Sequence, residues 1–209
     1  MTAEARKSTA DGGSPSGRTQ SRRTASRRRS PARPAPPVRI GIISDNHGYL
    51  DPEVLEIFAG VTHIIHAGDI VDPGILTALA AVAPVTAVSG NLDSTGPTAD
   101  LPTEATGEVG GVRFVVAHKP KRLLKRLGAG KIGVGEDHAR PDLVVWGHLH
   151  TPTVVWVDGQ LQLNPGTATS PDEEDDGPTV AIVEVAKNGL AVRFVPLRRR
   201  TPEETSGRR

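Results

Sequence analysis

Five strand-length apolar runs in this chain each stop at a residue able to bind a divalent metal. Val38–Ser44 runs into Asp45-Asn46-His47, Val61–Ala67 into Gly68-Asp69, and Val85–Ser89 into Gly90-Asn91-Leu92-Asp93. Val112–Ala117 runs into His118, and Leu143–Trp146 into Gly147-His148-Leu149-His150. Ligands of α/β sheets bind outside the carboxyl ends of the strands. A fold that gathers these five ends builds one metal-centred site. Asp45 and His47, like His148 and His150, are two residues apart, a spacing that puts side chains on one side of an extended chain. Gly68, Gly90 and Gly147 each precede a candidate ligand, where glycine permits a sharp departure from the strand and a close backbone approach.

The order strand, helix, strand, helix, strand over residues 38–89 implies a parallel sheet with right-handed crossovers. Asp51–Phe58 reads as an N-capped helix with Pro in its first turn, and Pro73–Val82 as a second helix. Later residues pair as hairpins about Gly110-Gly111, Asp158-Gly159 and Asn188-Gly189. A parallel front half and an antiparallel back half suggest two packed sheets flanked by helices. Lys119–Lys131 reads as an amphipathic helix with a solvated basic face; a rim that steers anionic substrate is the alternative.

Charge divides the chain. Residues 1–37 carry nine Lys/Arg and two acids, residues 38–197 eleven and twenty, and residues 198–209 five and two. The expectation is one acidic domain over 38–197 between a disordered basic tail, 1–37, and a basic C-terminal tail, 198–209. Tails so poor in large apolar residues do not offset the entropy of ordering. They read as solvated segments, with contact to nucleic acid through the arginines as the alternative. No apolar run is long enough for a membrane span, and the Arg-rich start lacks an apolar signal region. A cytoplasmic protein without membrane contact is expected. Asp172–Asp176 reads as a solvated acidic loop. The sequence leaves oligomeric state open. With no cysteine in the chain, any metal is held by oxygen and imidazole. That donor set suits Mn, Fe, Zn, Co or Ni better than Mg or Ca.

Asp45-x-His47, Gly68-Asp69, Gly90-Asn91-x-Asp93, His118 and Gly147-His148-x-His150 together resemble the calcineurin-like metallophosphoesterases. The single-domain length is similar to their small bacterial and archaeal phosphodiesterase subfamily. The resemblance covers about residues 38–197, with Asn164-Pro165-Gly166 also fitting. It implies a four-layer α-β-β-α sandwich and two divalent metal ions. One ion would be held by Asp45, His47 and His150, the other by Asn91, His118 and His148, with Asp69 bridging. Asp69, Asn91 and His118 are the residues it marks as catalytic. The implied reaction is hydrolysis of a phosphodiester by a hydroxide held between two metals. Two other readings stand beside it: a non-catalytic protein-binding module on the same fold, as in the retromer scaffold subunit, and a nuclease that uses its basic tails. Leu92 stands where protein phosphatases and repair nucleases of the superfamily commonly carry a histidine that protonates the leaving oxygen. Lys119 follows His118 where relatives usually carry glycine.

Overall fold

β1 (Arg39–Ile43) is buried along four of its five residues, so both of its faces need cover. In the computed structural model, which describes residues 37–169, 177–186 and 189–206, that cover comes from two different layers. The chain continues through α1 (Pro52–Ile57), β2 (His63–His66), α2 (Pro73–Ala80), β3 (Val85–Ala87), β4 (Glu104–Val109), β5 (Val112–Ala117) and α3 (Pro120–Gly128). It ends with β6 (Leu143–Val145), β7 (Thr153–Val157), β8 (Gln160–Asn164), β9 (Thr179–Ala186), β10 (Gly189–Pro196) and α4 (Pro202–Ser206).

The strands form two five-stranded sheets, ordered β10-β9-β1-β2-β3 and β4-β5-β6-β8-β7. Side chains of alternate residues leave a strand on opposite faces, and that alternation sorts the core. Ile40, Ile42 and Ile65 meet Val112, Phe114, Val116 and Leu163 between the sheets. Ile43 and Ile64 face outward onto Val54 and Phe58 at α1 and onto Ile75 and Leu79 of α2. Val115 and Val144 face outward onto Leu123 and Leu127 of α3. The layers are helix, sheet, sheet, helix, as the four-layer expectation requires.

The parallel front half is present as β1-β2-β3. The back half is not simply antiparallel. β5, β6 and β8 run parallel to one another, because α3 and the strand β7 act as crossovers between them. β9 returns to pair antiparallel with β1. Both sheets are therefore mixed.

Local signals set the element ends. Asp51 caps α1 by accepting the Glu53 N–H at 3.0 Å, and Asp72 caps α2 through the Gly74 N–H at 2.8 Å. Gly110 and Gly111 both take positive φ, +59° and +82°, as a two-residue hairpin turn between twisted strands demands. The third hairpin pairs Gly189 with Ala186; Asn188 lies outside the described residues. So do the acidic run Asp172–Asp176 and the N-terminal tail up to residue 36. Among the described residues no helix is long and apolar enough to cross a membrane.

The C-terminal segment departs from its reading as a free tail. Arg200 Nε lies 2.6 Å from Asp51 Oδ2, and its Nη2 lies 3.1 Å from Oδ1. The Arg198 N–H reaches Glu53 at 3.3 Å. The basic segment is thus tethered to the N-terminus of α1, by a planar fork that suits a carboxylate. Burial disfavours the Asp51 carboxylate, but Arg200 and the Glu53 N–H outweigh it and hold its pKa below the ordinary 3.8. A depressed carboxyl pKa stabilises the fold above the unfolded value, and that contribution disappears as pH falls through the folded value. Asp51→Asn is therefore expected to lower the melting temperature at pH 7. The gap to the parent should close below pH 3.8 in thermal melts. A gap that persisted undiminished in acid would refute the linkage. Asp51→Ala should cost a further increment, since loss of a helix cap is worth about 1 kcal/mol.

Candidate metal centre

All seven predicted ligands lie at one edge of the sandwich, on the loops that leave β1, β2, β3, β5 and β6. Two groups of potential donor atoms converge there, Asp45 with His47 and His150, and Asp45 with Asp69 and His118. His150 Nε2 is 3.3 Å from Asp45 Oδ1 and His47 Nε2 is 3.9 Å from it. His118 Nε2 is 3.4 Å from Asp69 Oδ2 and 3.0 Å from Asn91 Oδ1. The His148 ring sits edge-on to His118 with centroids 5.1 Å apart, while His47 and His150 stand 5.0 Å apart. The His148/His150 pair thus divides, His148 standing beside His118 and His150 beside His47. Asp45 belongs to both groups, and Asp69 Oδ2, beside His118, also lies 3.9 Å from His47 Nε2.

Each carboxylate is anchored through one oxygen and presents the other. Asp45 Oδ2 accepts the His148 N–H at 3.0 Å, and Asp69 Oδ1 accepts the Leu92 N–H at 2.8 Å. Asp45 Oδ1 is left buried without a hydrogen-bond partner. An unpaired buried carboxylate oxygen is costly, and here it faces two imidazole nitrogens. Oxygen and imidazole donors around such an atom fit a divalent transition metal. His118 donates its Nδ1 proton to the Ala67 carbonyl at 2.8 Å, which turns the Nε2 lone pair toward the site.

The electrostatics keep most imidazoles ready to ligate. Burial lowers the pKa of His47. Burial, His118 and Lys119 lower that of His148. A neutral ring with a free lone pair is the ligating form. Burial also works against ionisation of Asp45 and Asp69. The neighbouring His150 and Ser44 outweigh it at Asp45, and His118 and the Leu92 N–H at Asp69, so both stay anionic. At His118 burial is overcome by the carboxylates of Asp69 and Asp45, and its pKa rises.

The geometry by which the paired ligands converge differs from the extended spacing expected. Asp45, His47, Asp69, His148 and His150 all have positive φ, between +50° and +72°. Left-handed backbone is costly for residues with a β-carbon and clusters at functional sites. Two such residues around a single intervening one curl each Asp-x-His or His-x-His segment inward. The glycines act as expected. A β-carbon on Gly90 would overlap Asp69 Oδ1 and the Asp69 backbone nitrogen, and one on Gly147 would overlap Ser44 Oγ.

Several supports carry no sequence signal of their own. Thr167 Oγ1 donates to the Asp45 carbonyl at 2.9 Å, and Thr169 Oγ1 donates to the Asn46 carbonyl at 3.1 Å. Asn164 Nδ2 donates to the Gly147 carbonyl at 3.3 Å, which gives the Asn164-Pro165-Gly166 turn its place beneath the site. His66 is fully buried with its pKa pushed down to about 4 by burial. Its neutral ring accepts the Gly68 N–H and meets Asn46 Oδ1 at 2.7 Å. Asp93 accepts the Val71 and Gly90 N–H groups, both at 2.7 Å. It pins two ligand loops together and is committed to structure. Leu92 is 51 % exposed at the mouth of the site and offers no proton.

A family model of the calcineurin-like phosphoesterase superfamily domain matches residues 38–188. Over 143 residues the chain is 36% identical to a probable metallophosphoesterase of Methanocaldococcus jannaschii, covering 63% of this chain and 69% of that relative. Among solved structures it resembles vacuolar protein sorting 29 from Cryptosporidium parvum with a TM-score of 0.63, at 22% identity over 78% of this chain and 92% of that one. It likewise resembles an archaeal phosphodiesterase with a TM-score of 0.60, at 23% identity over 76% of this chain and 100% of that one. At such identities the two structures speak to the fold alone.

Proposed function

The chain belongs to the calcineurin-like phosphoesterase superfamily, and from that premise we propose that it hydrolyses phosphodiesters at a dinuclear metal centre. Asp45, His47 and His150 would hold one cation, and Asn91, His118 and His148 the other. Asp69 Oδ2 would be shared between them. The observation that carries this reading is the buried Asp45 Oδ1, which no hydrogen-bond donor satisfies and which faces the imidazoles of His47 and His150. Two divalent ions, with Mn the first choice, would supply Lewis acidity and make a bound water nucleophilic near neutral pH.

The chain's own groups do the rest. The free oxygens Asp45 Oδ1 and Asp69 Oδ2, held in place by the anchoring of their partners, fix where positive charge is held, and so where a phosphoryl oxygen docks. Asn91 and His118 lie on one wall and position that phosphoryl group. Burial favours the neutral, ligating form of His47 and His148, and the Ala67 carbonyl holds His118 with Nε2 toward the site. The presence of all four histidines of the ligand set, His47, His118, His148 and His150, favours the enzyme over the protein-binding module.

The test is a hydrolysis screen of metal-loaded protein on cyclic nucleotides, nitrophenyl diesters and monoesters, and single-stranded nucleic acid. His118→Ala should lower kcat/KM on the best substrate by about 100-fold or more. Full activity of that variant on every substrate would remove the assignment.

Leu92 sets the choice of leaving group. Nothing at that position protonates a departing alkoxide, so nitrophenyl esters should be turned over far faster than alkyl esters. Leu92→His should raise alkyl diester turnover selectively, by about 100-fold where general-acid catalysis is restored. Comparable rates of the parent on both ester types would contradict this.

A further inference from the structure

Beside the candidate metal centre lies a cavity of about 310 Å³ that the proposed reaction leaves without a role. Asn91 and His118 line both the cavity and the centre, and Lys119, Arg122, Leu123 and Ala117 line the cavity beside them. Its volume suits a small organic group rather than a nucleic-acid duplex.

The charge on this wall is uncompensated. Arg126 also lines the cavity, but its guanidinium is paired with Glu104. Among the described residues no carboxylate pairs with Lys119 or Arg122, and both are exposed. Lys119 and Arg122 belong to the basic face of α3, and they are the two cations of that face that line the cavity without an acidic partner. They lie within one turn at the start of α3, with Lys119 at the N-cap position. Leu123 and Leu127 bury the other face of that helix, so the backbone that carries the pair is fixed against the sheet. Backbone N–H groups in the first turn of a helix add to the attraction for an anion.

We propose that this cavity is a second anion subsite, in which Lys119 and Arg122 bind a non-reacting phosphate of the substrate. The substrate is then a small phosphodiester that carries a further phosphate group, rather than a diester of two neutral alcohols. A guanidinium fork beside an ammonium matches a dianionic phosphate better than a carboxylate, which a single cation satisfies. Ser89 and Thr103 add hydroxyl groups to the lining. The apolar Leu123 and Ala117 give the organic part of the substrate a surface to lie on.

The substrate class rests on the phosphodiesterase reading, but the anion site does not, and two readouts separate them. In the first, binding of inorganic phosphate to the metal-free full-length chain is followed by titration calorimetry. Lys119→Ala/Arg122→Ala should weaken it by about tenfold or more, whereas Lys121→Ala/Lys125→Ala, on the same helix but away from the cavity, should not. In the second, Mn-loaded protein is given thymidine 5′-(4-nitrophenyl phosphate) with and without a 3′-phosphate. The parent should favour the 3′-phosphorylated ester by about tenfold in KM, and the Lys119/Arg122 double variant should lose that preference. Phosphate binding unchanged by the double substitution, or a parent blind to the 3′-phosphate, overturns the proposal. Phosphate binding that depends on Lys119 and Arg122, with neither ester hydrolysed, upholds the anion site and sinks the diesterase reading.

Discussion

Asp69→Asn should leave the chain folded and strip it of both metal stoichiometry and hydrolytic activity. The outer oxygen of Asp69 approaches an imidazole on each side, at 3.4 Å from His118 and 3.9 Å from His47. Its other oxygen accepts the Leu92 N–H, a bond that an amide oxygen preserves. The substitution therefore keeps the loop anchored and removes only the shared charge. A metal's Lewis acidity is worth several kcal/mol at the transition state, so its loss should lower kcat/KM by about 10³-fold. Metal analysis of the purified variant should find at most one ion per chain. A variant that bound two ions and kept its rate would show that the two groups do not depend on a shared carboxylate.

Gly90→Ala is the second large effect, and its cause is steric. A β-carbon there would occupy the place of Asp69 Oδ1 and crowd the Asp69 backbone nitrogen. Backbone cannot yield as the end of a flexible side chain can, so the Asp69 turn must move. A displacement of about 1 Å at a reacting centre costs about 10²-fold in rate. The same shift breaks the Asp93 carboxylate's hold on the Gly90 N–H, so thermal stability should fall as well. Gly128→Ala is the control. It lies in the last turn of α3 with open space around its α-carbon, and alanine is the better helix former by about 1 kcal/mol. It should be neutral or stabilising with full activity. Equal behaviour of the two variants would mean that the Gly90 contact does not matter.

Much of the site was legible in the sequence because its ligands sit at strand ends, where an apolar run stops abruptly at a polar side chain. Strand periodicity says where such a residue falls. It says nothing about the sign of φ beyond the strand, so the left-handed turns at Asp45, His47, His148 and His150 were not foreseen. The supporting hydroxyls of Thr167 and Thr169 escaped for a different reason. Each donates to a carbonyl more than 120 residues away, and a lone threonine after a turn has many such partners in principle.

The fold shows the same division. Hairpins and capped helices are local and were read correctly, since a Gly-Gly turn or an Asp-Pro start declares itself within a few residues. The parallel pairing of β5, β6 and β8 depends on how α3 and β7 cross the sheet, which no local pattern states. The docking of Arg200 on Asp51 joins residues 149 apart. Composition alone describes that segment as a charged tail, because the carboxylate that captures it belongs to a helix cap at the other end of the domain.

The central claim is that seven side chains assemble one centre for two metal ions. It is tested most directly by stripping the full-length chain with a chelator and titrating Mn²⁺ back while hydrolysis of bis(4-nitrophenyl) phosphate is followed. The account predicts two ions bound per chain, no hydrolysis in the stripped protein, and activity that returns as the second ion binds. Hydrolysis that survives chelation, or a chain that takes up no Mn²⁺ at this centre, would contradict it.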